Sequence, residues 1–154
     1  MPQVLILLGS KSDAETGKKA KAMLDRFKVT SEIKVASAHR TPERVKSLVT
    51  TSDAEVFIAM AGLSAALPGV VASLTTRPVI GVPISGNVNL DSILSIVQMP
   101  PGIPVACVGL DRGDNAALLA VSILSLKDKR LQGELEAYRK EMAEKIEKDS
   151  QELN

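Results

Sequence analysis

"QVLILLGSKSD", residues 3–13, decides the fold. Its first half, residues 3–8, is a continuous run of Val, Ile and Leu after Gln3. A strand with one face in water alternates apolar and polar residues, whereas a strand covered on both faces does not. The run therefore predicts a fully buried strand of a parallel sheet. Gly9 allows a tight turn, and "AETGKKAKAMLDRF" (14–27) follows with Ala20, Met23, Leu24 and Phe27 at helical spacing.

The same alternation continues along the chain. "EIKVAS" (32–37), "EVFIAM" (55–60), "RPVIGVP" (77–83) and "VACVGL" (105–110) read as further strands. Between them lie helical segments. "TPERVKSLVTT" (41–51) has Thr41 as N-cap, Pro42 in the first turn and Glu43 suited to the positive helix start. "AGLSAALPGVVASL" (61–74) carries a loop into a helix of small residues, and "LDSILSIVQM" (90–99) is a short helix before the rigid turn "PPGIP" (100–104). "DRGDNAALLAVSILSL" (111–126) continues as an apolar helix, with Asp111 and Asp114 read as capping residues. Residues 128–149 form a charged C-terminal helix whose stripe of Leu131, Leu135, Tyr138, Met142 and Ile146 suits either its own domain or a neighbouring subunit. Five strand–helix repeats give an α/β domain, a parallel sheet between two helical layers, spanning residues 1–154.

Composition bounds the function. The chain has 154 residues, 45% hydrophobic and 24% charged, enough to bury a sizeable core. Its three aromatics, Phe27, Phe57 and Tyr138, leave that core to aliphatic side chains. The net charge of +1, with neither a basic stripe nor stacking aromatics, argues against nucleic acid. No apolar stretch approaches the ~20 residues that cross a bilayer, and "VLILL" is too short and lacks the basic leader of a signal peptide. The lone Cys107 excludes an internal disulfide framework, fits a reducing, cytoplasmic setting and reads as a core residue. No His/Cys cluster suggests a metal.

In parallel sheets of this type, ligands bind outside the carboxyl ends of the strands. The loops there are "GSKSD", "SAHRTP", "AGLSAALPG" and "PISGN", with the stretch before Asn115. "GSKSD" puts Ser10 and Ser12 hydroxyls before a helix N-terminus, an arrangement that suits a phosphate and equally suits a plain helix cap by Ser12 or Asp13. It lacks the patterns of nucleoside triphosphate or dinucleotide sites. His39, the only histidine, sits at a strand end beside Arg40. An imidazole exchanges protons near neutrality, and guanidinium matches phosphate geometry. Gly62, Ser64, Ala65, Ala66 and Gly69 let backbone approach a ligand or let helix and sheet pack closely.

"GSKSD", "SAHRTPE", "LPGVVAS", "SIVQMPPGIPV" and "NAALLA" occur here in the order found in the N5-carboxyaminoimidazole ribonucleotide mutase and aminoimidazole ribonucleotide carboxylase family of purine biosynthesis, which the chain resembles over residues 3 to about 130. The resemblance implies a flavodoxin-like three-layer αβα sandwich with an extra C-terminal helix, a cytoplasmic homo-octamer and a small ribonucleotide substrate, with no cofactor and no metal. It implies that Ser10, Ser12 and Asp13 belong to the nucleotide site, Asp13 holding ribose hydroxyls, and that Arg40 pairs with the phosphate. Ser37 and the backbone of Ala61, Gly62, Ser64 and Ala65, with Leu67, would line the base and carboxylate pocket, and His39 would be the acid/base. The implied activity is the mutase, moving a carboxylate from the exocyclic nitrogen to ring carbon C4; the alternative is a lyase, the direct carboxylase using CO2. Mutases of the family usually carry histidine where this chain has Ala66. Direct carboxylases usually carry Lys after the catalytic His, where this chain has Arg40, and "SNALSG" where it has "SAALPG".

Readings of other classes fit less well. A flavodoxin-like electron carrier needs aromatic partners for its flavin, and none lies in these loops. A phospho-receiver needs an acidic cluster ending the first strand, where only Asp13 follows. A non-catalytic nucleotide-binding module is the remaining alternative.

Overall fold

The computed structural model describes residues 1–153. Strands β1 (Val4–Leu8), β2 (Ser31–Val35), β3 (Val56–Ala61), β4 (Val79–Pro83) and β5 (Ala106–Cys107) form one parallel sheet in the order β2-β1-β3-β4-β5. Helices α1 (Ala14–Arg26), α2 (Pro42–Thr50), α3 (Leu67–Leu74), α4 (Asn89–Val97), α5 (Gly113–Ser125) and α6 (Lys129–Glu152) surround it. This is the flavodoxin-like order, which reverses direction between β1 and β3.

Side chains of β1 divide alternately between two cores. Val4, Ile6 and Leu8 join Ala20 and Leu24 of α1, Ala117 and Val121 of α5, and Leu131 of α6. Leu5 and Leu7 join Val45 of α2, Val71 of α3 and Ile96 of α4. All five β1 residues are buried, as the unbroken apolar run requires. Two glycines permit the closest approaches. A Cβ on Gly113 would lie 2.2 Å from the Thr16 carbonyl, where α5 meets α1, and one on Gly81 would lie 2.4 Å from Ile96 Cγ2, where α4 sits on β4.

Several boundaries differ from the sequence expectation. β5 covers two residues rather than six, although Val108 N–H still reaches the Gly81 carbonyl at 3.1 Å and Asp111 N–H the Pro83 carbonyl at 2.9 Å. It is an edge strand and Cys107 is half-buried rather than core. β2 ends at Val35, so His39 lies on the turn beyond the strand. Thr41 stands before α2 without capping it: its hydroxyl accepts from Ser37 N–H at 2.9 Å and donates to the Ser37 carbonyl at 3.2 Å. Asp111 does not cap α5 either. At φ 57°, its carboxylate accepts from the Ser85 N–H at 2.9 Å and from the Ser85 hydroxyl.

The tail stripe splits in use. Leu131 is buried, and Leu135 and Tyr138 pack on the core, Tyr138 edge-on to Phe27 at 5.7 Å with Arg26 over its ring at 4.6 Å. Met142 and Ile146 are exposed. None of the described helices is long and apolar enough to cross a membrane.

Candidate active site

The carboxyl ends of β1, β2 and β3 open onto a cavity of about 410 Å³ at the topological switch point. β1 delivers Gly9, whose N–H donates to the Met60 carbonyl at 3.0 Å and keeps β1 and β3 together past the end of β1. The chain then makes a 3-10 turn, Lys11–Asp13, before α1. Ser10 and Asp13 cap that turn reciprocally: Ser10 Oγ accepts from Ser12 N–H at 3.4 Å, and Asp13 Oδ2 accepts from Ser10 N–H at 3.1 Å. Asp13 is thereby buried, and burial raises its carboxyl pKa, partly offset by the Ser10 amide and the Ser12 hydroxyl. Ser10 is thus the N-cap of the 3-10 turn, and Asp13 stands at the N-cap position of α1, without a side-chain hydrogen bond to that helix.

β2 delivers the turn that carries His39 and Arg40. Ser37 and Thr41 close it, the Thr41 N–H reaching the Ser37 carbonyl at 2.9 Å. Arg40 folds back across the mouth of β1. Its Nε donates to Ser37 Oγ at 3.3 Å and its Nη2 to the Gly9 carbonyl at 3.3 Å. The guanidinium is thus placed between both polar loops while remaining exposed. His39 is exposed on the same turn and lines the same cavity.

β3 delivers a wall of small residues, Ala61, Gly62, Ser64 and Ala66, flanked by Leu63 and Leu67. Ser64 adopts φ 49°, a left-handed conformation, and Ala66 N–H closes on the Ser64 carbonyl at 2.6 Å. The chain reverses there and enters α3, which no side chain caps.

Of the residues singled out from sequence, Ser10, Ser12, Asp13, Ser37, His39, Arg40, Ala61, Gly62, Ser64 and Leu67 converge on this cavity. Ala65 does not line it. The reversal at Ser64 turns its methyl into the core with Val71 and Ile96, 1% exposed. Ala38 and Leu63 line the cavity without having been picked out, though both lie inside the motifs. Among the described residues, no group of three His, Cys, Asp or Glu converges as a metal site would require.

A family model described as AIR carboxylase matches residues 3–145. This chain belongs to the AIR carboxylase family. It is 56% identical over 144 residues to the N5-carboxyaminoimidazole ribonucleotide mutase of Methanocaldococcus jannaschii, covering 93% of this chain and 92% of the relative. It is 54% identical over 147 residues to the mutase of the same name from Pyrococcus abyssi, covering 92% and 84%. Among solved structures, PurE of Treponema denticola superposes with a TM-score of 0.89 at 34% identity, covering 100% of this chain and 99% of that one. This member of the AIR carboxylase family thus shares both sequence and fold with relatives over nearly its whole length.

Proposed function

We propose that this enzyme is an N5-carboxyaminoimidazole ribonucleotide mutase of purine biosynthesis, acting in the cavity at the β1/β3 switch point. One observation carries the reading: a single cavity brings a phosphate-suited polar wall, the only imidazole and a wall of small residues together. Ser10, Ser12 and Arg40 take the 5′-phosphate, the ordered hydroxyls and guanidinium supplying charge-assisted donors. Asp13 and Ser37 hold the sugar and base edges, with Ala61, Gly62, Ser64 and Leu67 closing the pocket.

The reaction moves one carboxyl group and returns one proton. The bond between the exocyclic nitrogen and the carboxylate carbon breaks, its electron pair going to nitrogen, which takes a proton from His39. CO2 is released into the pocket. The C4 electron pair forms the new carbon–carbon bond to that CO2, and the C4 proton passes back to His39. One positioned imidazole suffices because protons given and taken balance. CO2 is small and uncharged, so retention depends on enclosure by small residues rather than on an ionic grip. The uncapped start of α3, with its positive dipole end, suits the carboxylate that forms. The enzyme needs no cofactor in this scheme and works in the cytoplasm as a homo-octamer. Support for assembly comes from exposed apolar side chains on and beside α4, Leu90, Leu94 and Val97 among them, and from Met142 and Ile146 on α6.

Ala66 favours a second reading, direct carboxylation of aminoimidazole ribonucleotide, because it places a methyl group on the cavity wall where mutases of the family usually carry an imidazole. Comparing two substrates separates the readings. N5-carboxyaminoimidazole ribonucleotide without added bicarbonate should be converted far faster than it decays, and Ala66→His should move the ratio of rates further toward it. Turnover only of aminoimidazole ribonucleotide with CO2 would establish the carboxylase instead.

A further inference from the structure

Ser64 is the strained point of the small-residue wall, and its partner lies outside the cavity. Its N–H donates to Asp91 Oδ2 at 2.5 Å, across 27 residues of sequence. Asp91 stands in the first turn of α4, where a carboxylate commonly serves its own helix, yet no side chain caps α4. The helix beneath it is firmly seated. Ile96 is buried in the space left by the missing Cβ of Gly81, and Ser92 is buried with its hydroxyl on the Asn89 carbonyl at 2.9 Å. Ser95 Oγ donates to the Asp91 carbonyl at 2.7 Å, and Asn89 Oδ1 accepts from Gly86 N–H at 2.8 Å.

We propose that Asp91 is a positioning residue for the reaction: its carboxylate holds Ser64 in the left-handed conformation and so fixes the wall and the start of α3 relative to His39. A non-glycine residue with φ near 49° persists only where its surroundings over-determine it. The Asp91 carboxylate supplies that determination through a charge-assisted hydrogen bond. Without it Ser64 relaxes toward ordinary backbone geometry. Ala66 and Leu67, which line the cavity and begin α3, then shift with it. The phosphate grip, built on β1 and β2, is left alone. The consequence is a loss in the chemical step with binding retained.

The inference rests on the mutase reading for its catalytic readout, and the test separates the two. Asp91→Ala should lower kcat by about tenfold or more, the usual worth of a hydrogen bond to a charged group, while calorimetric affinity for aminoimidazole ribonucleotide stays as in the wild type. Asp91→Asn, which keeps an acceptor oxygen, should recover most of the loss. Asp91→Ala combined with Ser64→Gly should recover part of it, because glycine adopts the left-handed conformation without help. Hydrogen exchange at the amides of residues 64–67 should quicken in Asp91→Ala whichever reaction the enzyme performs. Asp91→Ser gives the same readouts should Asp91→Ala fail to fold. Wild-type kcat and exchange in these variants would overturn the proposal. So would affinity falling in step with kcat, or a double variant no better than Asp91→Ala. If the wild type converts neither substrate, the mutase reading fails and exchange alone decides the tether.

Discussion

The two walls of the cavity are built on opposite plans. The wall from β1 and β2 is polar and locally wired: Ser10 with Asp13, Ser37 with Thr41, and Arg40 bridging to Ser37 and Gly9. The wall from β3 offers methyl groups and backbone, and the side chain that tethers it, Asp91, stands outside the cavity on α4. In the proposed mechanism the first plan supplies binding energy, because charged donors meet a fixed phosphate. The second supplies room and dryness, because a small neutral intermediate gains little from polar groups and is lost to water through any gap. The difference separates what holds the substrate from what lets it react.

The sharpest way to break that division is to remove the proposed proton carrier, His39, which lines the cavity from the β2 turn. His39→Asn should lose at least ~10²-fold in kcat, the low end for general acid–base catalysis. Ribonucleotide affinity should be kept, since His39 is exposed on its turn and the turn is closed by Ser37 and Thr41. Steady-state kinetics with calorimetry checks both halves, and undiminished turnover would remove His39 from the chemistry.

A smaller effect is expected from the polar wall. Arg40→Ala should raise KM by about tenfold or more, as loss of a charged hydrogen bond does, with kcat at saturation much less affected. The dephosphorylated nucleoside should bind both proteins equally weakly. Equal wild-type affinity for nucleotide and nucleoside would mean that the wall grips no phosphate.

The smallest effect is a pH-dependent one at Asp13. Burial raises its carboxyl pKa above the ordinary 3.8. The unfolded chain therefore gives up this proton first, the native state binds more protons through that range, and stability falls as pH rises. Asp13→Asn does not titrate. The variant's melting temperature should gain on the wild type as pH rises above about 3.8, with the gap smallest below it. Thermal melts across pH check this, and a gap that does not change with pH would contradict it. The same variant should bind the ribonucleotide less well, which marks Asp13 as retained for ligand rather than for stability.

What could be read from the sequence follows the same contrast. β1 is legible because burial on both faces leaves an unbroken apolar run, and the polar loops are legible because Ser10 with Asp13 and Ser37 with Thr41 and Arg40 stand within four residues of one another, whereas the reach of Arg40 to the Gly9 carbonyl, 31 residues away, is not. β5 is not, since "VACVGL" has the composition of a strand but pairs with β4 at only two residues on the sheet edge. The inward turn of Ala65 depends on one backbone angle at Ser64, which no residue spacing reveals. Asp111 reads as a capping acid and Asp91 does not stand out at all, because the amides that they hold, Ser85 and Ser64, lie 26 and 27 residues away.

Retention of CO2 by the small-residue wall, between leaving nitrogen and joining C4, is the step on which the proposed mechanism depends. It is tested most directly by supplying N5-carboxyaminoimidazole ribonucleotide labelled at its carboxyl carbon to the wild-type enzyme in unlabelled bicarbonate, and measuring label in the C4-carboxylated product by mass spectrometry. Retention of the label in nearly every product molecule is the expected result. Product carrying the isotopic composition of the surrounding bicarbonate would show that CO2 escapes, and would contradict the account.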